Sequence, residues 1–171
     1  MTNQLTMYQA SVPVFIKMLN NLSTIIAKAA EHAEAKKIEQ SVFINARLSP
    51  DMFAFARQVQ IATDTAKGCV ARLAGNEVPS YADTETTFKE LQDRIRTTVV
   101  FLQSFKPEQI DGSEDHTITL KLRGNPVVFT GKNNLLGFAL PNFFFHVTTA
   151  YAILRHNGVD IGKPDYLGNL T

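Results

Sequence analysis

This sequence contains one cysteine, no tryptophan and few charged residues. The single cysteine, Cys69, among 171 residues excludes an intramolecular disulfide framework and a cysteine-based structural zinc site. The formal net charge of +1 argues against a dedicated nucleic-acid-binding protein, because such proteins carry a basic excess. The charged fraction of 19% lies below the value of roughly one quarter that is typical of soluble domains. The length suits one domain, residues 1–171, with a core of its own.

Several motifs with a defined chemistry are also missing. The sequence contains no glycine-rich dinucleotide-binding loop, no Walker loop and no Gly-x-Ser-x-Gly turn. Residues 1–16 lack the basic region and the cleavage site of a secretory signal, so we expect a cytoplasmic protein. Residues 133–154 hold no charge and are long enough to span a bilayer, but Asn142, His146 and Thr149 would be costly there. We therefore expect a buried bundle helix, with neither membrane nor nucleic acid as a partner.

Hydrophobic spacing predicts four long helices. Apolar residues recur every three or four positions over about residues 6–33, 51–74, 84–102 and 134–156. The hydroxyl, proline and acid of residues 49–51 are typical of a helix start, and residues 83–84 are predicted to start the third helix. Asn133 or Asn134 is the predicted cap of the fourth. The third helix is expected to expose its charged residues, Arg94 among them.

A change of period predicts a small β-hairpin between the third and fourth helices. Apolar and polar residues alternate over 118–122, a turn follows at 123–125, and an apolar return strand follows at 127–129. The connection over residues 75–83 could span roughly 30 Å when extended, so the second and third helices can run parallel. The predicted fold class is all-α: a four-helix bundle with a small β-hairpin inserted between helices 3 and 4.

The four histidines differ in their predicted environments. His32 and His116 lie among charged residues and are expected at the surface, and His156 is expected to cap the end of the last helix. His146 lies in the uncharged part of that helix, with Asn142 one turn before it. It is either a core histidine with a hydrogen-bonding partner or a ligand or general base that lines a pocket.

The residues before His146 predict a kink in the same helix. Pro141 cannot donate a backbone hydrogen bond and crowds the carbonyl group of Gly137. Cys69 lies on the apolar stripe of the second helix and is expected to be a buried small side chain rather than a reactive thiol.

The last predicted helix resembles a helix of a known superfamily. The run PNFFFHVTTAYAILRHNG over residues 141–158 resembles the final helix of the DinB/YfiT-like superfamily of metalloenzymes. Nearly the whole chain resembles one uncharacterised family of domain-of-unknown-function proteins allied to that superfamily. The supporting stretches are MYQASVP at 7–13, ARLSPDM at 46–52, ARLAG at 71–75, ITL at 118–120 and KPDYLG at 163–168. The resemblance implies a bundle with up-down-down-up helix order.

The same resemblance implies a position for a metal site. Many members of the superfamily hold a divalent metal with one histidine of the second helix and a His-x-x-x-His pair of the last. His146 matches the second histidine of the pair, but Asn142 stands where the first is expected. The second predicted helix has no histidine, and Gln58 or Gln60 lies in that neighbourhood. Because carboxamides are weak neutral ligands, we expect no cofactor at this degenerate site.

Three functions are open at this stage. The first is a metal-free DinB-like bundle that binds a small ligand at an intrabundle site. The candidate residues of that site are His146, Asn142, Gln58, Gln60 and Thr149. The second is a transferase or hydrolase that depends on a divalent metal, zinc or nickel, held by His146 with Asn142 and a glutamine. The third is an interaction protein that forms a homodimer and has no catalytic activity.

The distribution of charge motivates the homodimer. Residues 31–132 hold 27 of the 33 charged residues, whereas residues 1–30 hold two and residues 133–154 hold none. In the up-down-down-up order, the first and fourth helices are neighbours. A surface helix of a monomer usually keeps a charged face. We therefore predict a homodimer that packs through helices 1 and 4 around a two-fold axis.

Overall fold

The computed structural model of the protein describes residues 4–170. Its helices are α1 (Met7–Lys36), α2 (Gln40–Ile44), α3 (Phe55–Leu73), α4 (Phe88–Gln103), α5 (Pro107–Ile110), α6 (Gly131–Asn133), α7 (Leu140–His156) and α8 (Lys163–Leu167). The two antiparallel strands are β1 (Thr117–Leu122) and β2 (Asn125–Thr130), and a π-helical segment, Asn134–Ala139, joins α6 to α7. The fold is therefore mostly helical with one small sheet, as the sequence predicts.

Contacts between α3 and α4 show that these two helices run in the same direction. The rings of Phe55 and Phe88, the first residues of the two helices, lie 6.2 Å apart between centroids. About two turns later, Nε of Arg94 donates a hydrogen bond of 2.7 Å to Oγ1 of Thr63. The connection over residues 74–87 therefore runs back along the pair from the end of α3 to the start of α4. We call this connection the crossover.

The predicted start of the second long helix is wrong by several residues. Ser49 and Asp51 form a turn in which the Ser49 hydroxyl donates to the carboxylate, and Pro50 lies in the same turn. Helix α3 begins only at Phe55, whose backbone N–H donates a 2.9 Å hydrogen bond to the carbonyl oxygen of Ala46. The Ser-Pro-Asp sequence forms a turn, and its short polar side chains bond to each other instead of capping a helix.

The start of α4 is also later than predicted. Thr87 caps α4: its hydroxyl accepts from the N–H of Glu90, and the Glu90 carboxylate accepts from the N–H of Thr87. This reciprocal capping box satisfies two backbone donors at once. Residues 83–84, the predicted start, instead belong to the crossover.

Arg94 corrects the prediction that all charged residues of this helix face solvent. Its side chain is only 2% exposed, although it lies on a helix with many charges. The guanidinium forms ion pairs with Asp64 at 2.8 Å, Glu85 at 2.9 Å and Asp83 at 3.1 Å. Asp83 and Glu85 belong to the crossover, and Asp64 belongs to α3. A buried cation is tolerated only with such partners, so the crossover is fixed to the helix pair.

A second buried cation extends this arrangement. The Lys67 side chain is 4% exposed, and its Nζ lies 2.6 Å from Asp64 and 4.0 Å from the ring centroid of Tyr81. The Arg94 guanidinium lies 5.4 Å from the same ring. We refer to these ionic residues as the crossover cluster: Asp64, Lys67, Asp83, Glu85 and Arg94.

The hairpin places its apolar face on the core. Residues pair from Thr117 with Thr130 to Leu122 with Asn125, and Ile118 and Leu120 are buried. The turn residues Arg123 and Gly124 have positive φ angles of 50° and 86°. Positive φ at both turn residues gives the chain reversal the right-handed twist of the strands.

The last long helix begins earlier than predicted and is irregular. Its cap is Thr130, whose hydroxyl accepts from the N–H of Asn133, rather than Asn133 or Asn134. The first helical residue is Gly131, where a Cβ would collide with the backbone of Ser113. The irregularity predicted at Pro141 takes the form of the π-helical segment that ends two residues before it. Such segments widen a helix and frequently lie at functional sites.

The C-terminal helix α8 packs beside the two charge-poor long helices. Nδ2 of Asn21 on α1 donates to the carbonyl oxygen of Tyr166 at 3.0 Å, and the Thr148 hydroxyl on α7 donates to the Tyr166 hydroxyl at 3.0 Å. Lys28 and Asp165 form an ion pair of 2.7 Å. Part of the weakly charged surface of α1 and α7 is therefore covered by the chain itself.

Helix α1 is the one described helix within residues 4–170 whose length and composition would allow it to cross a membrane. The mean hydropathy of its most apolar window is 1.3. Its apolar stripe, which includes Val12, Phe15 and Leu19, is fully buried in the protein core. The segment singled out from the sequence, residues 133–154, is divided between the π-helical segment and α7 and does not meet the same test.

We expect the substitution Arg94→Met to lower the free energy of unfolding by about 3 kcal/mol, because it leaves the carboxylates of the crossover cluster without their main partner. Urea unfolding measures this change, and hydrogen exchange should show faster opening of residues 81–86. Arg96→Met is the matched control, since the Arg96 side chain is 73% exposed and its pair with Asp93 is worth little. Equal losses in the two variants would contradict a special role for Arg94.

Candidate functional site

His146 on α7 and Gln58 on α3 form a buried pair between the two helices. Nδ1 of His146 lies 2.6 Å from Oε1 of Gln58. The orientation of the carboxamide is determined by its other end, where Nε2 of Gln58 donates a 3.0 Å hydrogen bond to the carbonyl oxygen of Phe53. Because Oε1 can only accept, Nδ1 of His146 carries the proton. His146 is therefore held in one tautomer, with its lone pair on Nε2.

The outer nitrogen of this ring is free to accept a hydrogen bond. His146 is 8% exposed and Gln58 is 1% exposed. Within residues 4–170, the buried side-chain atoms without a partner are Oγ of Ser113 and Oδ1 of Asn134. Nε2 of His146 has no hydrogen-bonding partner in the described part of the chain and is not among these atoms, so it reaches solvent. The site thus presents a neutral acceptor to solvent.

Burial keeps this imidazole neutral. Desolvation lowers the pKa of His146 from 6.5 to about 4, and the positive charge of Arg57 adds to the effect. Arg57 is itself held by Asp83 of the crossover and by Oε1 of Gln60 at 3.2 Å. The crossover therefore positions the charge nearest to the histidine.

One aromatic ring contacts His146, and a second lies beside Arg57. The rings of Phe145 and His146 meet edge to face, 5.2 Å apart between centroids. The guanidinium of Arg57 lies 5.9 Å from the ring centroid of Phe53. Phe53 and Phe145 are 56% and 55% exposed, which is unusual for such large apolar residues. Sequence analysis missed Phe53 and Arg57, although both lie within five residues of Gln58.

The other predicted site residues form hydrogen bonds with partners other than His146. Gln60 points into the crossover, where its Nε2 donates to Glu85 at 2.9 Å. Nδ2 of Asn142 donates to the hydroxyl of Thr65 at 2.9 Å, one to two turns along α3 from Gln58. The Thr149 hydroxyl donates to the carbonyl oxygen of Phe145 within its own helix. From the predicted set, the structure therefore joins His146 to Gln58 by a hydrogen bond, whereas the side chains of Gln60, Asn142 and Thr149 have other partners.

The remaining histidines and the cysteine are placed as follows. His32 is half-buried and packs edge to face on Phe43, and Nδ1 of His116 lies 3.3 Å from the carbonyl oxygen of Leu73. His156 is exposed in the last turn of α7. Cys69 is 2% exposed, and burial raises the pKa of its thiol to about 12. A thiol so rarely deprotonated is a poor nucleophile.

The donor atoms around His146 do not fit a divalent metal. A histidine that ligates a metal through Nε2 usually donates from Nδ1 to an oxygen, and His146 does so. However, its neighbours Gln58 and Asn142 already bond to His146 and Thr65, and both are carboxamides. No group of three or more His, Cys, Asp or Glu side chains within residues 4–170 is placed to hold a metal ion. One imidazole is too few for a zinc or nickel centre.

Comparisons with known proteins identify a matching family and a crystal structure with a similar fold. A family model described as "Domain of unknown function (DUF1993)" matches residues 7–167. A crystal structure of a DinB family member protein from Shewanella denitrificans is similar over 95% of this chain and 92% of that chain, with 44% identity and a TM-score of 0.86. A comparison with curated proteins finds no match.

We expect the protein to lose stability as the pH falls below about 6.5 toward 4. In that interval the unfolded chain, with an ordinary histidine pKa near 6.5, binds a proton that the folded His146 site does not. Allowing for partial solvation of the ring, the contribution of His146 is about 2 kcal/mol between pH 7 and pH 4.

His146→Asn supplies the control, because the asparagine amide keeps a donor for Gln58 but does not titrate. Urea unfolding at both pH values should show a smaller pH dependence in this variant. An NMR titration should place the pKa of His146 near 4, with Nδ1 protonated above it. A pKa near 6.5 would contradict the buried, neutral imidazole.

Proposed function

Since the chain belongs to the DUF1993 family of domains of unknown function and has a DinB family member as a structural neighbour, we propose that it is a DinB-like bundle that binds a small ligand beside His146. The proposal includes the up-down-down-up helix order, which the parallel course of α3 and α4 supports. In this proposal the site is degenerate and works without a metal, which the scarcity of metal-ligating side chains around His146 supports.

The observation that carries this proposal is the locked tautomer of His146. Gln58 fixes the proton on Nδ1, so Nε2 is a preset acceptor at the protein surface. A low pKa keeps that lone pair free at neutral pH. Phe145, next to this acceptor, offers an exposed apolar wall. The ligand chemistry that fits is an aromatic or apolar body with one hydrogen-bond donor.

Phenol is a probe with this chemistry, and anisole is its matched partner without the donor. We expect phenol to shift the ¹⁵N resonance of His146 Nε2 saturably and to lower the pKa of His146 further, because its hydroxyl stabilises the neutral ring. Anisole should leave Nε2 unchanged. Gln58→Leu, which releases the tautomer, should weaken phenol binding roughly 5-fold, the effect of about 1 kcal/mol.

Gln60→Leu is the matched control, since Gln60 lies on the same helix but contacts Glu85 instead of His146. It should bind phenol as the unaltered protein does, once its thermal midpoint shows that it is folded. No saturable response at Nε2 would count against a ligand site. In the contrary outcome, protein purified without chelator takes up cobalt or nickel stoichiometrically and loses this uptake in His146→Ala. That result would replace the proposed ligand-binding function with a metal-dependent transferase or hydrolase.

A homodimer through α1 and α7 is the alternative proposal. Residues 133–154 hold no charge, and Leu136 and Phe145 remain 49% and 55% exposed on this side. A second copy would cover Phe145 and compete with a ligand. In that case light scattering should give twice the chain mass and a return to monomer on dilution or with Phe145→Glu. A constant monomer mass over the full concentration range would remove this alternative.

A further inference from the structure

Arg72, in the last turn of α3, is a half-buried guanidinium without a partner. Within residues 4–170 it forms neither a hydrogen bond nor an ion pair. By contrast, Lys67 on the same helix and Arg94 on α4 each have a carboxylate within 3 Å. Burial lowers the pKa of Arg72, and no carboxylate offsets that effect. A cation taken partly out of water without compensation is a position that an anion would stabilise.

The fold makes room for this guanidinium at Gly68. A Cβ at that position would lie 2.6 Å from Nη1 of Arg72, so the arginine folds back over the glycine. Glycine inside a helix costs about 1 kcal/mol relative to alanine. Glycine at position 68 therefore leaves space for the Arg72 guanidinium, although it lowers the stability of α3.

The guanidinium lines a cleft of about 340 Å³ between α3, the hairpin and the irregular part of the last helix. Lys121 of β1 contributes a second positive charge to the same cleft, and Leu120 and Phe138 form apolar walls. Asn142 and Thr65, joined by their hydrogen bond, lie at its side. This is where the structure puts Asn142, which the sequence assigned to the neighbourhood of His146.

A small inner cavity of about 30 Å³ shares Arg72, Thr65, Leu120 and Phe138 with the cleft. Asn134, in the π-helical segment, also lines this cavity; it is 2% exposed, and its Oδ1 has no hydrogen-bonding partner. A buried acceptor without a donor is destabilising and is rare in folded proteins. A bound molecule could therefore donate a hydrogen bond to Asn134 at the inner end of the cleft and offer an anionic group to Arg72.

We propose that this cleft binds a small hydroxycarboxylate: the carboxylate pairs with Arg72 and Lys121, and the hydroxyl donates to Oδ1 of Asn134. The fork of an arginine matches a carboxylate with two parallel hydrogen bonds. Asp64 also lines the cleft and would repel a second negative charge, which favours a monoanion over phosphate. The site is separate from the one beside His146, because Gln58, Arg57 and Phe145 do not line it.

The test uses 3-hydroxybutyrate as the probe in an NMR titration of the full chain. We expect saturable shifts of the Arg72 Nε and Asn134 side-chain resonances. Butyrate, without the hydroxyl, should bind more weakly and leave Asn134 unshifted, whereas butane-1,3-diol, without the carboxylate, should not bind. Arg72→Gln should weaken binding at least about tenfold, the effect of losing charge-assisted hydrogen bonds.

Arg96→Gln is the control for overall charge and should bind as the unaltered protein does. Gly68→Ala displaces the guanidinium without removing it and should weaken binding in a protein whose thermal midpoint shows that it is folded. Equal binding by Arg72→Gln, or no saturable shift with either carboxylate, overturns the proposal. Equal or tighter binding of inorganic phosphate overturns the assignment of a hydroxycarboxylate. A Gln58→Leu variant that still binds 3-hydroxybutyrate separates this site from the one beside His146.

Discussion

The buried guanidinium of Arg94 is the interaction on which the arrangement of the bundle depends. Two parallel helices need a long connection that returns along their length, and a polar connection of this kind has little apolar surface to hold it. Here Asp83 and Glu85 of the crossover meet Arg94, and Asp64 completes the set from α3. The same connection fixes Arg57 through Asp83, so the charge beside His146 depends on it too.

Helix α3 then presents two kinds of polar chemistry along one helix. At its start, Gln58 and His146 satisfy each other, and the pair offers only an acceptor to solvent. At its end, neither the guanidinium of Arg72 nor Oδ1 of Asn134 has a partner among the described residues 4–170. In the first arrangement, the buried polar groups of Gln58 and His146 pair with each other. In the second arrangement, the positive charge of Arg72 and the oxygen of Asn134 can be paired by a bound molecule.

Much of the fold was predictable because it follows from patterns within a few residues of one another. The helical stripes, the alternation in the hairpin and the resemblance to a family allied to DinB are confirmed by the helices, the strand pair and the family match. Helix starts were less predictable, because Ser49 and Asp51 could cap a helix or bond to each other. The hydrogen bond from the N–H of Phe55 to the carbonyl oxygen of Ala46, which fixes the start of α3, is not visible in the sequence. Arg94 was misplaced for a related reason: its partners lie nine to thirty residues away.

The sequence by itself determined the mostly helical class, the uncharged character of residues 133–154 and the absence of histidine from residues 51–74. Each of these is a property of residue types and of their spacing. Only the tertiary structure decided that Gln58 rather than Gln60 faces His146, that Asn142 belongs to a different cleft, and that Arg72 is unpaired. Gln58 and Gln60 differ by about 200° around the helix axis, and which direction meets α7 depends on how distant helices pack.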